Sequence, residues 1–346
     1  MLPSFVRHVE QILPSLKKYR ADDVAADAEL GAVCGWLLGK QNDRDQTVQS
    51  WLSKIQAKSR LENFLAQLNT DLARKKWFID LQTLEAGLWL RDVPKRGKGL
   101  SNEEMRAALR LRLYLPVCGF VVGSKCTCAK KPPLDPTGLH LISGCNSQNL
   151  RAETHNAVAD ELSNKLKWMG YVCMREQRGS FKVKYPDDNG RSDITVFNPP
   201  FGAFQNHLLD VRVACNLEGA QTGKIKAPRL ADTEKKLHLA QSAFHEKNRL
   251  YKQRANDNGY GFTPIIFMST GGVHEESKKL IIDLVEHASR TVINIPKRTL
   301  YMSTMRACSV ALQKGLASAI VERTKSINQR FLSRSTRRHR YIHQDE

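Results

Sequence analysis

Two apolar segments, RSDITV at residues 191–196 and LLDVRV at residues 208–213, set the architecture of this chain. Each segment predicts a short β-strand with one aspartate inside it, Asp193 in the first and Asp210 in the second. A carboxylate within an apolar strand is costly to bury unless it binds a metal ion or a proton. We therefore expect neighbouring strands that hold the two aspartates side by side, with Arg212 on the same face as Asp210.

Helices and strands alternate around these two segments. The apolar periodicity predicts helices at 152–169, 232–255 and 275–289, and strands at 171–175, 193–197, 207–214 and 263–269. This order indicates the α/β class, with a mixed sheet flanked by helices. The predicted domains are an all-helical region at 1–115, a small turn-rich segment at 116–150, the sheet domain at 151–296, and a helical, basic C-terminal tail at 297–346.

The N-terminal region has helical periodicity and no strand signal. Apolar residues from Trp51 to Leu72 recur at helical spacing and predict one helix. Ser101 followed by Glu104 is a capping-box pattern that predicts the start of another. Between them, Pro94–Gly99 is a basic connector.

The charge of the chain points to a polyanionic partner. Its 346 residues carry a formal net charge of +19, and 41% of them are hydrophobic, which is enough for a buried core. DNA is the expected partner, with RNA as a second candidate. No apolar run reaches the ~18 residues that a membrane span needs, so a membrane partner is not expected. The N-terminus lacks a secretory signal, which predicts a reducing compartment, nuclear or cytoplasmic, and reduced or metal-bound cysteines.

A cysteine–histidine cluster precedes the sheet. Cys126, Cys128, His140 and Cys145 have the spacing C-x-C, eleven residues, H-x4-C. Thiolate and imidazole ligands at the two ends of a loop are typical of a structural Zn²⁺ site. The C-x-C half is tighter than the usual two-residue gap, so ordinary core cysteines with a surface histidine are an open alternative. Cys118 is a substitute ligand.

The two aspartates are suited to phosphodiester hydrolysis. Mg²⁺ prefers oxygen ligands and keeps several waters, so one or two carboxylates are enough to bind it. Asp193 and Asp210 are therefore the candidate Mg²⁺ ligands. The alternative is structural: the aspartates cap strand ends or form ion pairs with Arg191 and Arg212.

Four motifs in this order resemble the C-terminal part of non-LTR retrotransposon proteins, in which a zinc knuckle and a restriction-like endonuclease of the PD-(D/E)XK superfamily follow the reverse transcriptase. The resemblance spans residues 105–290. The motifs are Cys126-x-Cys128…His140-x4-Cys145, His155-Asn156, Arg191-x-Asp193-Ile194 and Asp210-Val211-x-Val213.

The resemblance implies roles for individual residues. Asp193 and Asp210 match the two catalytic acids, and Glu176 matches a glutamate on the first strand. Lys247 with Tyr251 matches a helical pair that replaces the lysine of the D-x-K motif. Arg212 stands where that lysine often lies, Ser192 replaces the proline of PD, and Thr154 replaces the arginine of R-H-N. The candidate nucleic-acid contacts in this region are Arg151, His155, Asn156 and Arg191.

The last segment is strongly basic. Between Arg323 and Arg340 there are seven lysines and arginines and no acid, which favours a phosphate-contacting arm. A solvated tail is the equal alternative. The candidate contacts are Arg334, Arg337, Arg338 and Arg340.

One motif is better explained by a turn. Tyr185–Asp188 imitates the YxDD signature of a reverse transcriptase, but Asn189-Gly190 follows it directly and favours a tight turn. If the resemblance holds, the polymerase portion is a separate partner or has been lost.

Three hypotheses follow. The first is a metal-dependent endonuclease that cuts or nicks target DNA. The second is a catalytically inactive nuclease fold that binds DNA or RNA. The third is a zinc-stapled structural protein that binds nucleic acid. The first alone predicts Mg²⁺-dependent cleavage that is lost when either aspartate is replaced.

Overall fold

The computed structural model describes most of the chain beyond residue 47. The described residues are 48–91, 99–116, 125–129, 131–143, 145, 150–178, 180, 182, 184–185, 190–200, 202–222 and 224–342; the side chains of 48–55 and 331–342 are not included. The chain divides into two compact units, Met1–Phe64 and Leu65–Glu346. The predicted domain borders after residues 115, 150 and 296 stay predictions.

The helix predicted from Trp51 to Leu72 is two helices. Helix α1 spans Val48–Gln67 and α2 spans Leu72–Asp80. The break has a local cause, because the Asp71 carboxylate accepts a hydrogen bond from the Arg74 backbone N–H at 3.0 Å and so caps the start of α2.

The predicted capping box is present. A 3₁₀ helix spans Glu85–Arg91, and α3 spans Asn102–Arg112. Ser101 Oγ accepts from the Glu104 N–H, and a Glu104 carboxylate oxygen accepts from the Ser101 N–H. Most of the predicted basic connector, residues 92–98, lies outside the described residues.

The second unit is mixed α/β, as the sequence predicts. After α4 (Leu139–Ser143) and α5 (Leu150–Trp168) come β1 (Val172–Arg178), β2 (Arg191–Phe197), β3 (Asn206–Ala214), a 3₁₀ turn (Ala220–Thr222), α6 (Leu230–Thr233), α7 (His238–Asp257), β4 (Tyr260–Met268), α8 (Glu275–Thr291) and α9 (Lys297–Ile342). The four strands form one sheet in the order β1-β2-β3-β4. The β1–β2 and β2–β3 pairs are antiparallel, and β3 and β4 are parallel because α6 and α7 form the crossover between them.

Helices cover both faces of the sheet. On one face, strand residues such as Ile194 and Leu209 join a core with Leu162 of α5, Leu284 of α8 and Leu312 of α9. On the other face, α7 packs on β3 and β4 through two smaller clusters, which include Leu208 with Phe262 and Ala240 with Ile266. The sheet is therefore buried on both sides, which explains the apolar character of its strands.

The helix predicted at 232–255 is interrupted before α7. Leu237 adopts a left-handed conformation with φ of 53°, and its N–H donates to Asp80 Oδ1 at 2.7 Å. Asp80 is buried beside Lys76, whose ammonium donates to both the Asp80 carboxylate and the Lys235 carbonyl. The Leu237 N–H and the Lys235 carbonyl therefore form tertiary hydrogen bonds, whereas a continuous helix would use them for its own hydrogen bonds.

Helix α9 has 46 residues and includes the predicted basic tail up to Ile342. Its N-terminal and middle parts pack against α5, α3 and the 3₁₀ helix at 85–91. Among the described helices, none is both long and apolar enough to cross a membrane.

Candidate functional site

The predicted metal ligands converge in a buried cluster. One potential ligand atom from each of Cys126, Cys128, His140 and Cys145 lies within 4.8 Å of the others, and all four residues are buried. Cys126 Sγ lies 3.4 Å from Cys145 Sγ, and Cys128 Sγ lies 3.6 Å from His140 Nε2. His140 is fully buried, so it is not the surface histidine of the alternative interpretation. Cys118 lies outside the described residues.

Short-range hydrogen bonds hold the ligands in place. The Cys126 N–H donates to the Pro132 carbonyl at 2.8 Å, which closes the loop after the C-x-C pair. The Asp135 carboxylate accepts from the N–H groups of Leu139 and His140 at 2.9 Å each, and so caps α4 and orients His140. The segment lacks a large core, and this network fixes it around the four side chains.

The chemistry of the cluster fits a thiophilic metal. A hydrogen bond with the Cys145 thiol, together with burial, raises the pKa of Cys126 well above its ordinary value. Burial lowers the pKa of His140, but its contacts with the thiols of Cys145 and Cys128 outweigh burial, and the net pKa is raised. A metal ion replaces these shared protons and accepts the four donors. The group could hold a metal such as zinc.

The two aspartates occupy facing positions on antiparallel strands. The β2–β3 register pairs Ile194 with Leu209, so one further step places Asp193 across from Asp210. The strands part at this step, because the Val211 N–H donates to Asp193 Oδ2 at 2.7 Å instead of to a backbone carbonyl. Both side chains are mostly buried, with 13% of Asp193 and 16% of Asp210 exposed.

His155 of α5 reaches the point where the strands part. Its Nε2 lies 3.0 Å from Asp193 Oδ2 and 2.9 Å from the Val211 carbonyl, and its Nδ1 lies 3.0 Å from Asn156 Oδ1. With the Asn156 amide in this orientation all three partners are acceptors, an arrangement that favours the protonated imidazole. Burial lowers the pKa of His155, but the contacts with Asp193, Asn156 and the Val211 carbonyl together outweigh burial, and the net shift is upward. His155 is therefore the partner of Asp193, and its protonated form makes an ion pair with that carboxylate.

Asp210 is paired with Lys247 of α7. Lys247 Nζ forms an ion pair with Asp210 Oδ2 at 2.8 Å, and this oxygen is buried. Burial raises the pKa of Asp210, Lys247 opposes this effect, and the Asp193 carboxylate adds to it, so the net shift is upward. The Lys247 ammonium also lies 5.2 Å from the centre of the Tyr251 ring, which is a cation–π contact. The predicted pair of Lys247 and Tyr251 therefore lies beside Asp210.

Other predicted residues lie elsewhere. Arg212 forms an ion pair with Glu246 at 2.5 Å, and Arg191 forms one with Glu176 at 2.9 Å. The structural alternative paired these two arginines with the aspartates. In the fold, both arginines pair with glutamates. Glu176 lies in β1 with a left-handed φ of 50°, a costly conformation for this residue type.

The remaining candidates are peripheral. Arg151 is exposed on α5. The backbone of Arg334, Arg337, Arg338 and Arg340 belongs to α9, and their side chains are outside the description. The YxDD-like segment is only partly described: Tyr185 OH donates to Asp257 Oδ2 at 2.8 Å, and residues 186–189 lie outside the described residues.

Sequence reasoning missed one residue of the acid site. Arg175 of β1 donates a hydrogen bond from Nη1 to the Asp193 carbonyl and forms an ion pair with Asp160 at 2.7 Å. It lies across from Ile194, next to Asp193, in the β1–β2 register. Only that register reveals its position, because no motif contains it.

No protein-family model matches this chain, and no curated protein is found to be similar to it. Within the described part of the chain, the Cys126–Cys145 cluster is the group of three or more metal-binding side chains that converges, and Asp193 and Asp210 are not part of such a group. The function is therefore inferred from the local chemistry.

Proposed function

We propose that this chain is a metal-dependent DNA endonuclease of retrotransposon origin, and that its sheet is of the restriction-endonuclease type. The observation that carries the proposal is that Asp193 and Asp210 are the residues next to the Ile194–Leu209 pair, where the β2–β3 register ends. The mixed four-stranded sheet with helices on both faces agrees with this fold type, and the resemblance in motif order supports it.

The acid pair fits a hard divalent cation. Asp210 Oδ2 is a buried carboxylate oxygen without an aligned hydrogen bond, and the Asp193 carboxylate is held rigidly through its Oδ2. Oxygen donors of this kind suit Mg²⁺, and these two residues would hold it. A bound Mg²⁺ would polarise the scissile phosphate and increase the acidity of a water.

The basic residues around the two aspartates would have different roles. Lys247 already lies at the Asp210 carboxylate, so a small movement of its flexible side chain would bring its ammonium to a phosphate oxygen. Arg212 is less suited to this role because Glu246 holds its guanidinium. His155 positions Asp193, since it contacts both that carboxylate and the Val211 carbonyl.

The proposed partner is DNA, with RNA as the second candidate. The net charge of +19 supports attraction to phosphate, and the basic end of α9 would add sequence-independent contacts. The Cys₃His group would act as a structural staple. A reverse-transcriptase portion would be separate or lost.

A second candidate is a catalytically inactive nuclease fold that binds nucleic acid. One specific observation favours it: each carboxylate already contacts a basic side chain of the protein, His155 for Asp193 and Lys247 for Asp210. A site neutralised in this way needs no metal ion for its stability.

Cleavage of plasmid DNA distinguishes the two candidates. We expect the wild-type protein to nick or linearise supercoiled plasmid with Mg²⁺, and Asp193→Asn and Asp210→Asn to lower the rate at least about 100-fold, because each removes a charged metal ligand. DNA affinity, measured by fluorescence anisotropy, should change little. Asp283→Asn is the matched control, since Asp283 is exposed on α8.

Each result has a clear meaning. DNA binding without Mg²⁺-dependent cleavage in the wild type would support the second candidate. Cleavage that persists in both aspartate variants would show that this acid pair is not the active site.

A further inference from the structure

One edge of β4 is closed by other parts of the fold along its second half. β4 lies at the end of the sheet, so this edge has no neighbouring strand. The Ile266 N–H points to it and donates to Ser277 Oγ at 3.1 Å, and Ser277 Oγ donates to the Pro264 carbonyl at 2.8 Å. The Met268 N–H donates to the Gly272 carbonyl at 2.8 Å. The start of α8 and the loop before it therefore satisfy this half of the edge.

The first half of the same edge is open at Phe262. Backbone groups of a strand point alternately to its two sides, and the β3–β4 register continues without a bulge from Tyr260 to Met268. The N–H and C=O of Phe262 therefore point the same way as those of Ile266, away from β3. No residue that the structure describes forms a hydrogen bond with these two groups. Phe262 thus offers one donor and one acceptor to an incoming strand.

A groove lies along this open part of the edge. Its cavity of about 270 Å³ is lined by Phe262 and by side chains of α7 and α8, which cover opposite faces of the sheet. This volume is below the ~300–1,000 Å³ of typical small-molecule sites, so a segment that passes through the groove fits it better than a cofactor. The charged and amide residues of the lining are Asn248 and Lys252 on the α7 wall and Glu276, Lys279 and Asp283 on the α8 wall.

The charges of the groove indicate the chemistry of its partner. The two lysines are balanced by the two acids, so the lining does not favour a polyphosphate. Within the described part of the chain, the side chains of Lys252, Lys279 and Asp283 form no ion pair. Successive side chains of an added strand would face α7 and α8 in turn. The α7 wall is positive and the α8 wall has more acid than base, so a matching segment alternates acidic and basic residues.

We infer that this groove binds an extended peptide segment of a partner protein by strand addition to β4, and that the segment alternates acidic with basic residues. Main-chain hydrogen bonds to Phe262 give affinity. Acidic side chains of the segment meet Lys252, and basic ones meet Glu276 and Asp283. The inference concerns a surface other than the acid pair and is independent of nuclease activity.

Two synthetic peptides test the charge pattern. One fluorescein-labelled peptide alternates three aspartates with three lysines between terminal threonines, and the other has the same composition with the aspartates and lysines in separate blocks. We expect the alternating peptide to bind at least about 5-fold more tightly by fluorescence anisotropy, because only its charges match both walls. Equal affinities would overturn the inference. Absence of binding would also overturn it, and would indicate that the charges only protect a free edge from aggregation.

A charge reversal in the α7 wall tests the location. Lys252→Glu should weaken binding of the alternating peptide about 3- to 10-fold, because an attraction between exposed charges becomes a repulsion. Lys236→Glu is the matched control with the same change of charge. Lys236 is exposed before the start of α7, which lies about 20 Å from Lys252 along the helix axis. Equal weakening in the two variants would show a response to overall charge and would overturn the groove as the site.

Amide exchange in the wild-type protein tests strand addition itself and needs no variant. The Phe262 N–H should exchange at least about 10-fold more slowly in the peptide-saturated protein, measured by NMR, because it gains a hydrogen bond. The Ile266 N–H, which already donates to Ser277, should keep its rate. Peptide binding with unchanged exchange at Phe262 would overturn strand addition.

Sedimentation velocity distinguishes a second copy of this chain as the occupant. Self-association of the wild type that is lost in Lys252→Glu, together with no binding of either peptide, would assign the groove to a second copy. That result would overturn the peptide partner.

Discussion

The two facing aspartates differ in their surroundings. Asp193 accepts a backbone hydrogen bond from Val211 and contacts the His155 imidazole, so its carboxylate is held in one position. Asp210 forms an ion pair with Lys247, and its pKa is raised, first by burial. Asp193 is thus held by hydrogen bonds, whereas Asp210 would be stabilised more by a bound cation.

The partly buried His207 is expected to give the fold a pH dependence. His207 of β3 lies against Gly261 of β4, where a Cβ would come within 2.3 Å of His207 Nδ1, and its Nε2 lies 2.9 Å from Thr263 Oγ1. Burial lowers the pKa of His207 to about 4. The folded protein therefore keeps this imidazole neutral where the unfolded chain protonates it, near pH 6.5.

We predict a loss of stability on acidification that originates from His207. Because the folded pKa is depressed, the contribution is fully present above about pH 6.5 and is lost as the pH falls toward 4. The loss should reach at most roughly 3 kcal/mol, the equivalent of the pKa shift. Urea unfolding of the wild type and His207→Gln between pH 7 and 4 measures it. Parallel pH profiles for the two proteins would contradict this origin.

Contact between α5 and α9 depends on a glycine. Gly315 of α9 faces Thr154 of α5 so closely that a Cβ at position 315 would lie 2.7 to 2.9 Å from the atoms of the Thr154 side chain. Thr154 is buried and donates a hydrogen bond to the Leu150 carbonyl at 3.0 Å. An arginine, which the resemblance would place at 154, does not fit under a helix at this distance.

We predict that Gly315→Ala destabilises the protein by about 1–3 kcal/mol, because overpacking exceeds the gain in helix propensity. Urea unfolding measures the change in the free energy of unfolding. Gly87→Ala is the matched control, since the nearest atom to its Cβ would be 3.8 Å away. An unchanged free energy of unfolding in Gly315→Ala would contradict the close contact between α5 and α9 at this glycine.

The whole molecule carries a large positive charge, part of it near the end of α9. The net charge is +19, and the C-terminal half of that helix is rich in arginine. Two interpretations, a phosphate-contacting arm and a solvated helix end, differ in their salt dependence, because each phosphate contact releases bound counterions.

We predict that DNA affinity falls steeply with salt and that the basic end contributes to the slope. Replacing Arg334, Arg337, Arg338 and Arg340 by glutamine should reduce the magnitude of the slope of log K against log [salt] by about 3 to 4, at ~0.9 per phosphate contact. Fluorescence anisotropy with a labelled duplex at several salt concentrations measures the slope. An unchanged slope would favour the solvated helix end.

Local patterns were enough to identify several features of this chain. The alternation of helices and strands, the capping box at Ser101 and the four metal-binding residues depend on neighbours within a few turns or one loop, and the structure contains them. Helix breaks at Asp71 and Leu237 were missed, in the second case because the buried Asp80 that captures the Leu237 N–H is 157 residues away.

Residue types and spacing indicated which side chains could bind a metal, because ligand chemistry belongs to the side chain itself. The pairing of Asp193 with His155, the ion pair of Arg212 with Glu246, and the hydrogen bond from Arg323 to the Cys145 carbonyl followed only from the folded chain. These contacts join residues 34 to 178 positions apart, and their formation depends on strand register and helix packing, which no local pattern encodes.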